Sequence, residues 1–209
     1  LILFLLASVG TSAAADIETS KTVQYRKEAE SGNVSAMYNL GWRYANGRGI
    51  TQNDAEAVKW YRKAAEAGNV NAMYILGWRY ANGQGITQND TEAVKWYRKA
   101  AEAGDATAMN NLAARYQNGQ GVAQDDTEAV KWSRKAAEAG NVNAMYNLGW
   151  RYANGQGITQ NDAEAVKWFR KAADAGNVNA MNNLAERFDN GKGIAQDGAE
   201  AVKWYRKAA

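Results

Sequence analysis

The sequence writes the same unit five times with a period of 36 residues. An alanine and a leucine mark the register of every copy: Ala36, Ala72, Ala108, Ala144 and Ala180, and Leu40, Leu76, Leu112, Leu148 and Leu184. A period of this length is typical of solenoids, because a unit so small cannot bury its apolar face alone and must stack on its neighbours. We therefore expect one continuous stack of repeats, which offers an extended surface to other molecules.

The second half of each repeat has the pattern of an amphipathic α-helix, which we call helix B. In the first copy Ala57, Trp60 and Tyr61 fall at spacings i, i+3 and i+4 and form one apolar stripe. Asn53 precedes this stripe, and Glu56 follows three residues later, which is the pattern of a capping box at a helix start. The sequence thus predicts a helix over about residues 54–67 and its equivalents in the other copies.

The first half of each repeat predicts a second helix, helix A, with a narrower buried stripe. Its apolar positions in the first copy are Ala36, Leu40 and Tyr44, at spacings i, i+4 and i+8. Gly47 and Gly49 follow, separated by one residue, and predict a tight turn with a positive φ at one or both positions. Two helices per repeat make the expected fold all-α, with antiparallel helix pairs stacked side by side.

Composition excludes several classes of site. The chain has no Cys and no His, so disulfides, thiolate metal sites and histidine catalysis are excluded. The Gly-x-Gly loop lacks a preceding strand and the Lys-Ser/Thr of a P-loop, which favours a structural turn over a phosphate site. The pair Asp125-Asp126 lacks the other ligands of a calcium loop, which favours helix capping. We predict no metal site and no cofactor.

Basic residues recur on helix B, at Lys59, Arg62 and Lys63 in the first copy. This ridge could contact anionic envelope components or nucleic acid. The acidic residues near the start of the helix and the basic residues near its end favour a solvated outer face instead, because that order suits the helix dipole and i, i+3 pairing. The net charge of +3 is also too small to indicate nucleic-acid binding, and no nucleic-acid partner is predicted.

The first 15 residues differ from the rest of the chain. Residues 1–6 are all apolar, and Ala13-Ala14-Ala15 has the small-x-small form of a secretory cleavage site. The apolar run is shorter than the roughly 20 residues that a membrane-spanning helix needs. We therefore predict part of a signal peptide over residues 1–15 and a periplasmic or secreted mature chain without a transmembrane segment. The alternative is an uncleaved membrane anchor.

Taken together, these motifs resemble the Sel1-like repeat family, which is related to tetratricopeptide solenoids. The matching residues of the first copy are Ala36, Leu40, Gly41, Tyr44, Gly47, Gly49, Asp54, Trp60, Tyr61, Ala64, Ala65 and Gly68. The resemblance covers about residues 22–209. It implies a right-handed α-solenoid that acts as a protein-binding scaffold or adaptor without a catalytic residue set, and in bacteria a role in the envelope or in contacts with a host.

The resemblance also suggests how the chain divides. Residues 16–28 form an N-terminal linker and a capping half-helix, in which Gln24 stands where the repeats have Trp. The repeats then occupy residues 29–64, 65–100, 101–136, 137–172 and 173–209. The third copy departs from the pattern at Ser133, where the first copy has Tyr61. We expect Ser133 to leave a packing defect or to face a smaller neighbour.

The candidate binding residues lie on helix A, outside its apolar stripe. Tyr38 and Trp42 are four residues apart and share one side of the helix. Copies three and five have Asn110/Ala114 and Asn182/Glu186 at these positions, and a position that accepts Glu is rarely buried. We therefore predict partly exposed aromatic patches on the concave surface, flanked by arginines: Tyr38, Trp42, Arg43, Tyr74, Trp78, Arg79, Tyr146, Trp150 and Arg151.

Three alternatives stay open for these residues and for the function. The aromatic pairs could pack between neighbouring repeats instead of binding a partner. The aromatic patches could also serve as platforms for sugars in a glycan-binding or cell-wall-binding module. A hydrolase would need a group that breaks the repeat, and the one candidate is Ser133 with Lys131 and Lys135 as a Ser-Lys dyad.

Overall fold

The computed structural model describes residues 19–209, and this part of the chain consists of eleven α-helices without a strand. The predicted partial signal peptide, residues 1–15, lies outside the described residues. The helices are α1 (Ser20–Glu30), α2 (Val34–Asn46), α3 (Asp54–Glu66), α4 (Val70–Asn82), α5 (Asp90–Glu102), α6 (Ala106–Asn118), α7 (Asp126–Glu138), α8 (Val142–Asn154), α9 (Asp162–Asp174), α10 (Val178–Asn190) and α11 (Gly198–Ala208).

The helices alternate as the repeat predicts. The even-numbered helices α2 to α10 are the five copies of helix A, and the odd-numbered helices α3 to α11 are the five copies of helix B. Each helix packs against the helices that precede and follow it in the chain, so the pairs form an α-solenoid. Helix α1 packs on α2 in the way that each later helix B packs on the next helix A. Gln24, which replaces the buried Trp, is exposed there.

Side-chain caps begin both helices of a repeat. The Asn53 side chain accepts a hydrogen bond from the Glu56 backbone N–H at 3.0 Å, as the capping pattern predicts. The Glu56 carboxylate does not return to the cap and instead accepts from the Lys59 ammonium. Asn33 caps helix A by accepting from the Ala36 backbone N–H at 2.9 Å. This second cap is equally periodic, and its asparagine or aspartate recurs at every helix A.

The core depends on close approach of helices A and B within a repeat. Leu40 and its four equivalents have no exposed surface. Beside Leu40, a Cβ atom on Gly41 would lie 3.0 Å from the ring of Tyr61, which itself is 2 % exposed. A glycine on helix A therefore makes room for a buried ring on helix B.

In the third repeat, both residues of this glycine–ring pair are different. Ala113 stands where the first copy has Gly41, and Ser133 stands where it has Tyr61. Both side chains are buried, at 3 % and 2 % exposure. The added methyl group on helix A thus accompanies the loss of a ring on helix B. Ser133 therefore does not face a smaller residue at this helix-A position, because alanine replaces glycine there.

The Gly-x-Gly loop connects helices A and B of one repeat and contacts the preceding repeat. Gly83 and Gly85 both have positive φ, at 67° and 72°, so the turn needs glycine at both positions. A Cβ atom on Gly85 would lie 2.3 Å from the backbone carbonyl oxygen of Asp54, at the start of helix B in the preceding repeat. The loop therefore packs backbone against backbone across the repeat boundary, and this is its structural role.

The basic ridge of helix B is only partly solvated. Lys59 is exposed and pairs with Glu56 one turn earlier. Arg62 is half-buried, and its Nη2 donates a hydrogen bond to the Tyr80 hydroxyl of the next repeat at 2.7 Å. Within residues 19–209, no helix has both the length and the apolar character needed to cross a bilayer.

Candidate functional site

The exposed side of the five helices A, which we call the helix-A face, carries three tryptophans at the surface. Trp42, Trp78 and Trp150 are 39 %, 41 % and 41 % exposed, large fractions for a side chain of this size. Their tyrosine partners are half-buried. The ring of Tyr74, for example, packs on the buried ring of Tyr97 with centroids 6.0 Å apart. Each predicted pair thus combines an exposed tryptophan with a tyrosine held by the core.

The flanking arginines do not lie at the surface as expected. Arg79 is 4 % exposed and Arg151 is 2 % exposed. The Arg79 Nη1 donates to the Asp54 carboxylate of the preceding repeat at 2.8 Å, and its guanidinium lies 5.4 Å from the centre of the Tyr61 ring. Arg79 and Arg151 were predicted to flank the aromatic patches on the binding surface. They are buried instead, because the arginine that follows each Trp packs between two repeats.

Arg43 is half-buried and takes part in the equivalent joint at the first repeat. Its Nη1 donates to the Thr22 hydroxyl and to the Arg48 backbone carbonyl, both at 2.8 Å. The guanidinium also lies 5.2 Å from the centre of the Tyr25 ring. Arg43 therefore connects α1 to the first repeat and is not a surface group beside Trp42.

Because these arginines contact the preceding repeat or α1, the helix-A face of the first four repeats has little charge. The charged residues of α2, α4, α6 and α8 are Arg43, Arg79, Arg115 and Arg151, each turned towards the preceding repeat. Asparagine side chains are frequent between them, and the Asn147 Nδ2 donates to the Asn110 Oδ1 at 3.3 Å. The face is therefore mainly aromatic and amide in character.

Two recesses open on either side of α6. One, of about 410 Å³, lies between α4 and α6 and is lined by residues that include Tyr74, Trp78 and Ala114. The other, of about 250 Å³, is lined by Gln117, Tyr146, Asn147, Trp150 and Arg151. Repeats one, two and four carry Trp where α6 carries Ala114, so the third repeat leaves a gap between Trp78 and Trp150.

The sequence singled out the tryptophans but not the gap. Its signal was present in the third copy, where Asn110 and Ala114 replace Tyr and Trp together. Gln117, which lines the smaller recess, also replaces the alanine of copies one, two and four. From the sequence alone, the change at Asn110 and Ala114 indicates only exposure, and the gap appears when α4, α6 and α8 stand side by side.

The proposed Ser-Lys dyad does not form. Ser133 is 2 % exposed. The Lys131 ammonium pairs with Glu128 at 2.6 Å, and the Lys135 ammonium lies 4.7 Å from the centre of the Trp132 ring. Neither lysine is therefore placed to act as a base for Ser133. Within residues 19–209 no cluster of three or more acidic side chains is placed to hold a metal ion.

Burial beneath this face gives a pH-dependent stability. Desolvation raises the pKa of Tyr97 to about 12, opposed in part by the Arg115 cation. A raised folded-state pKa means that this contribution is complete below pH 10, near the pKa of an unfolded tyrosine, and is lost as pH rises towards 12. We expect unfolding in this alkaline range, measured by circular dichroism alongside tyrosinate absorbance. Tyr97→Phe should remove one late-ionising group, and an unchanged late absorbance step would contradict the assignment.

Comparison with known proteins agrees with the repeat geometry. The family model described as Sel1 repeat matches residues 34–69, 70–105, 106–141, 142–177 and 178–209. These segments begin at helix A, whereas the units inferred from sequence begin five residues earlier, at the end of helix B. A search of curated proteins finds no match.

Solved structures include close matches to the chain. A protective antigen of uropathogenic Escherichia coli with an SLR fold is 38 % identical, with a TM-score of 0.86 over 88 % of this chain and 39 % of that protein. The chain thus spans about two fifths of the antigen's length. A Sel1 repeat protein from Oxalobacter formigenes is 32 % identical, with a TM-score of 0.83 over 90 % of this chain and 83 % of that one.

A more distant neighbour is the cysteine-rich protein B of Helicobacter pylori, 26 % identical with a TM-score of 0.52, over 64 % of this chain and 96 % of that one. Our chain has no cysteine, and the contacts between its repeats are the arginine, glycine and ring contacts described above. The matched repeats, the eleven helices and the similar solved structures lead to one conclusion: the chain belongs to the Sel1 repeat family.

Proposed function

We propose that the protein is a non-enzymatic scaffold that binds a protein partner through its helix-A face. One observation carries the proposal: Trp42, Trp78 and Trp150 stay about two fifths exposed on a face where the neighbouring tyrosines pack on the core and the neighbouring arginines pack between repeats. Sel1 repeats are typical of protein-interaction scaffolds, which supports a protein as the partner.

Exposed tryptophans favour binding because burying them against a partner contributes free energy. Removing apolar surface from water contributes roughly 25 cal/mol per Å². Tryptophan is among the residues most enriched at binding hot spots, because it buries a large area and fixes few rotatable bonds. Three tryptophans lie where this face has little charge, beside two recesses, and they offer a partner both area and shape.

We further propose that the mature protein acts in the bacterial envelope or outside the cell. The support is the apolar run of residues 1–6 followed by the alanines at 13–15, which together have the form of a signal peptide. Intact-mass measurement of exported protein tests this, with cleavage after Ala15 expected. Exported protein that still begins at Leu1 would contradict it.

The binding proposal is tested by Trp78→Ala. Because Trp78 is 41 % exposed and lies outside the buried core, we expect the free energy of unfolding to fall by less than about 1.5 kcal/mol. Affinity for a partner isolated from envelope extract should fall at least about tenfold, as at a hot spot. Binding is measured by surface plasmon resonance and stability by urea unfolding.

Val202→Ala is the matched control, because Val202 is 48 % exposed on helix B, away from the helix-A face. It should leave partner affinity unchanged. A loss of about 3 kcal/mol or more in Trp78→Ala would instead show that the tryptophan packs the repeats together. Binding of cell-wall glycan without any protein partner would favour the glycan-binding alternative.

A further inference from the structure

The arginines of helix A follow one pattern at three of the joints between repeats. Arg79, Arg115 and Arg187 donate to the aspartate that starts the preceding helix B, with Arg79 and Arg115 at 2.8 and 2.6 Å from Asp54 and Asp90. An aromatic ring of the preceding helix B lies beside the guanidinium of each, as Tyr61 does for Arg79. Each of these cations therefore has a hydrogen-bonded carboxylate and a ring.

Arg151 departs from this pattern. Its Nη1 is 3.7 Å from the Asp126 Oδ1, too far for a hydrogen bond, and that buried oxygen has no hydrogen-bond partner. The ring that would cover the guanidinium is replaced by Ser133. The Nη2 instead donates to the neutral amide oxygen of Gln117 at 2.8 Å. Among the helix-A arginines of residues 19–209, Arg151 has lost both the close carboxylate and the ring.

The loss matters because Arg151 is 2 % exposed. A buried cation is stabilised chiefly by close opposite charge and by hydrogen bonds to it. Burial lowers the pKa of the Arg151 guanidinium, and the Asp126 carboxylate opposes that shift. The guanidinium edge held by Gln117 thus faces an acceptor that carries no charge.

The same edge borders the smaller recess beside α6. Gln117 and Arg151 lie at this recess of about 250 Å³, and Tyr146, Asn147 and Trp150 complete its lining. The recess is continuous with the helix-A face, where Trp150 is exposed. A group that enters it meets two aromatic side chains and one incompletely compensated cation.

We propose that this recess binds an acidic side chain of a partner polypeptide, whose carboxylate replaces the Gln117 amide oxygen on Arg151. A carboxylate matches the planar fork of a guanidinium and forms the stronger, charge-assisted hydrogen bond. It approaches the edge away from Asp126, so the guanidinium stands between the two negative charges. The surrounding face offers no competing cation in α4, α6 or α8, because Arg79 and Arg115 are already paired with aspartates.

The inference rests on the proposed protein-binding function and adds the chemistry of one contact. We assign the carboxylate to a side chain within the partner and not to a chain terminus. The helix-A face continues past the recess on both sides, towards Trp78 in one direction and α10 in the other. A bound segment can therefore run through the site in both directions.

The test uses the full chain labelled with ¹⁵N and a blocked pentapeptide, four glycines around a central glutamate, with an acetylated amino terminus and an amidated carboxyl terminus. We expect saturable shifts of the Arg151 Nε–H and Trp150 indole signals, with a Kd of about 1 mM. The same peptide with glutamine should bind about tenfold more weakly or not at all. The Trp42 indole signal should not move.

A matched variant closes the site with residues that the chain already uses elsewhere. The triple substitution Ala113→Gly, Gln117→Ala and Ser133→Tyr gives the third repeat the identities of Gly41, Ala45 and Tyr61. It should fold, as judged by circular dichroism, because two other repeats hold the same combination, and the glutamate-dependent shifts should disappear. The single variant Gln117→Ala, which removes the competing amide oxygen, should strengthen binding.

Equal shifts from the glutamate and glutamine peptides would overturn the proposal, as would shifts that persist in the triple variant. A response to pentaglycine with a free carboxyl terminus, but not to the blocked glutamate peptide, would overturn the assignment to a side chain. If the glutamate peptide fails while partner binding still depends on Trp78, this inference is wrong and the scaffold proposal stands. Saturable glutamate binding without any Trp78-dependent partner would contradict the scaffold proposal alone.

Discussion

Replacing Gly85 by alanine is expected to lower the free energy of unfolding by more than about 4 kcal/mol or to prevent folding. Gly85 has a φ of 72°, where side chains other than glycine are strained. A Cβ atom there would also lie 2.3 Å from the backbone oxygen of Asp54. Backbone cannot move aside as a flexible side chain can, so the second repeat would have to separate from the first at this contact, or the loop would have to distort.

Gly68→Ala is the control that separates the effect of backbone strain from the effect of the close contact with Asp54. Gly68 has an even larger φ of 95°, but a Cβ atom there meets nothing within 4 Å. We expect it to cost only the left-handed backbone strain, about 1–2 kcal/mol. Urea unfolding followed by circular dichroism measures both variants. Similar losses in the two would show that the close contact at Gly85 contributes nothing.

The second large effect concerns the glycine–ring pair of the second repeat. Tyr97→Ser should cost about 3–5 kcal/mol, because it removes a ring that is 2 % exposed. Gly77→Ala should cost about 1–3 kcal/mol, because its Cβ would lie 2.8 Å from that ring. The double variant should cost less than the sum by about 1–3 kcal/mol, since the methyl group then has room. The third repeat already combines Ala113 with Ser133.

A double-mutant cycle with distant partners checks that the coupling is local. Gly77→Ala combined with Phe169→Ser places the two changes in different repeats, on α4 and α9. Their effects on the free energy of unfolding should add within about 0.5 kcal/mol. If the effects of Gly77→Ala and Tyr97→Ser also add strictly, the ring moves aside without cost. That result would contradict the close packing of Gly77 and Tyr97.

Much of the fold follows from periodicity alone. Helices A and B, the Asn53 cap and the positive φ of the loop glycines are local consequences of spacing and residue type, and the structure has them at the predicted positions. The tryptophans were predicted at the surface because a copy of the same position holds Glu186. That inference needs no knowledge of how helices pack, only that a charge is rarely buried unpaired.

The arginines show where such reasoning ends. Arg79 is a charged residue beside an exposed tryptophan, and charge normally indicates a solvated side chain. Its burial depends on Asp54, which is 25 residues earlier and reaches it only when two repeats stack. The recess at Arg151 depends likewise on a combination of Gln117 and Ser133 that no local pattern relates. Residue spacing therefore does not predict the side-chain contacts between neighbouring repeats.

The contact between each loop glycine and the start of helix B in the preceding repeat has a consequence for how the protein can evolve by substitution. Asp54 and its equivalents at 90, 126 and 162 meet the loop of the following repeat through their backbone oxygens. The step from one tryptophan position to the next is therefore set by main chain and is the same whatever side chains the surface carries. Equivalent positions on the helix-A face therefore keep a constant spacing. A substitution such as Trp to Ala or Glu changes the surface at one position and leaves the spacing of the other positions unchanged.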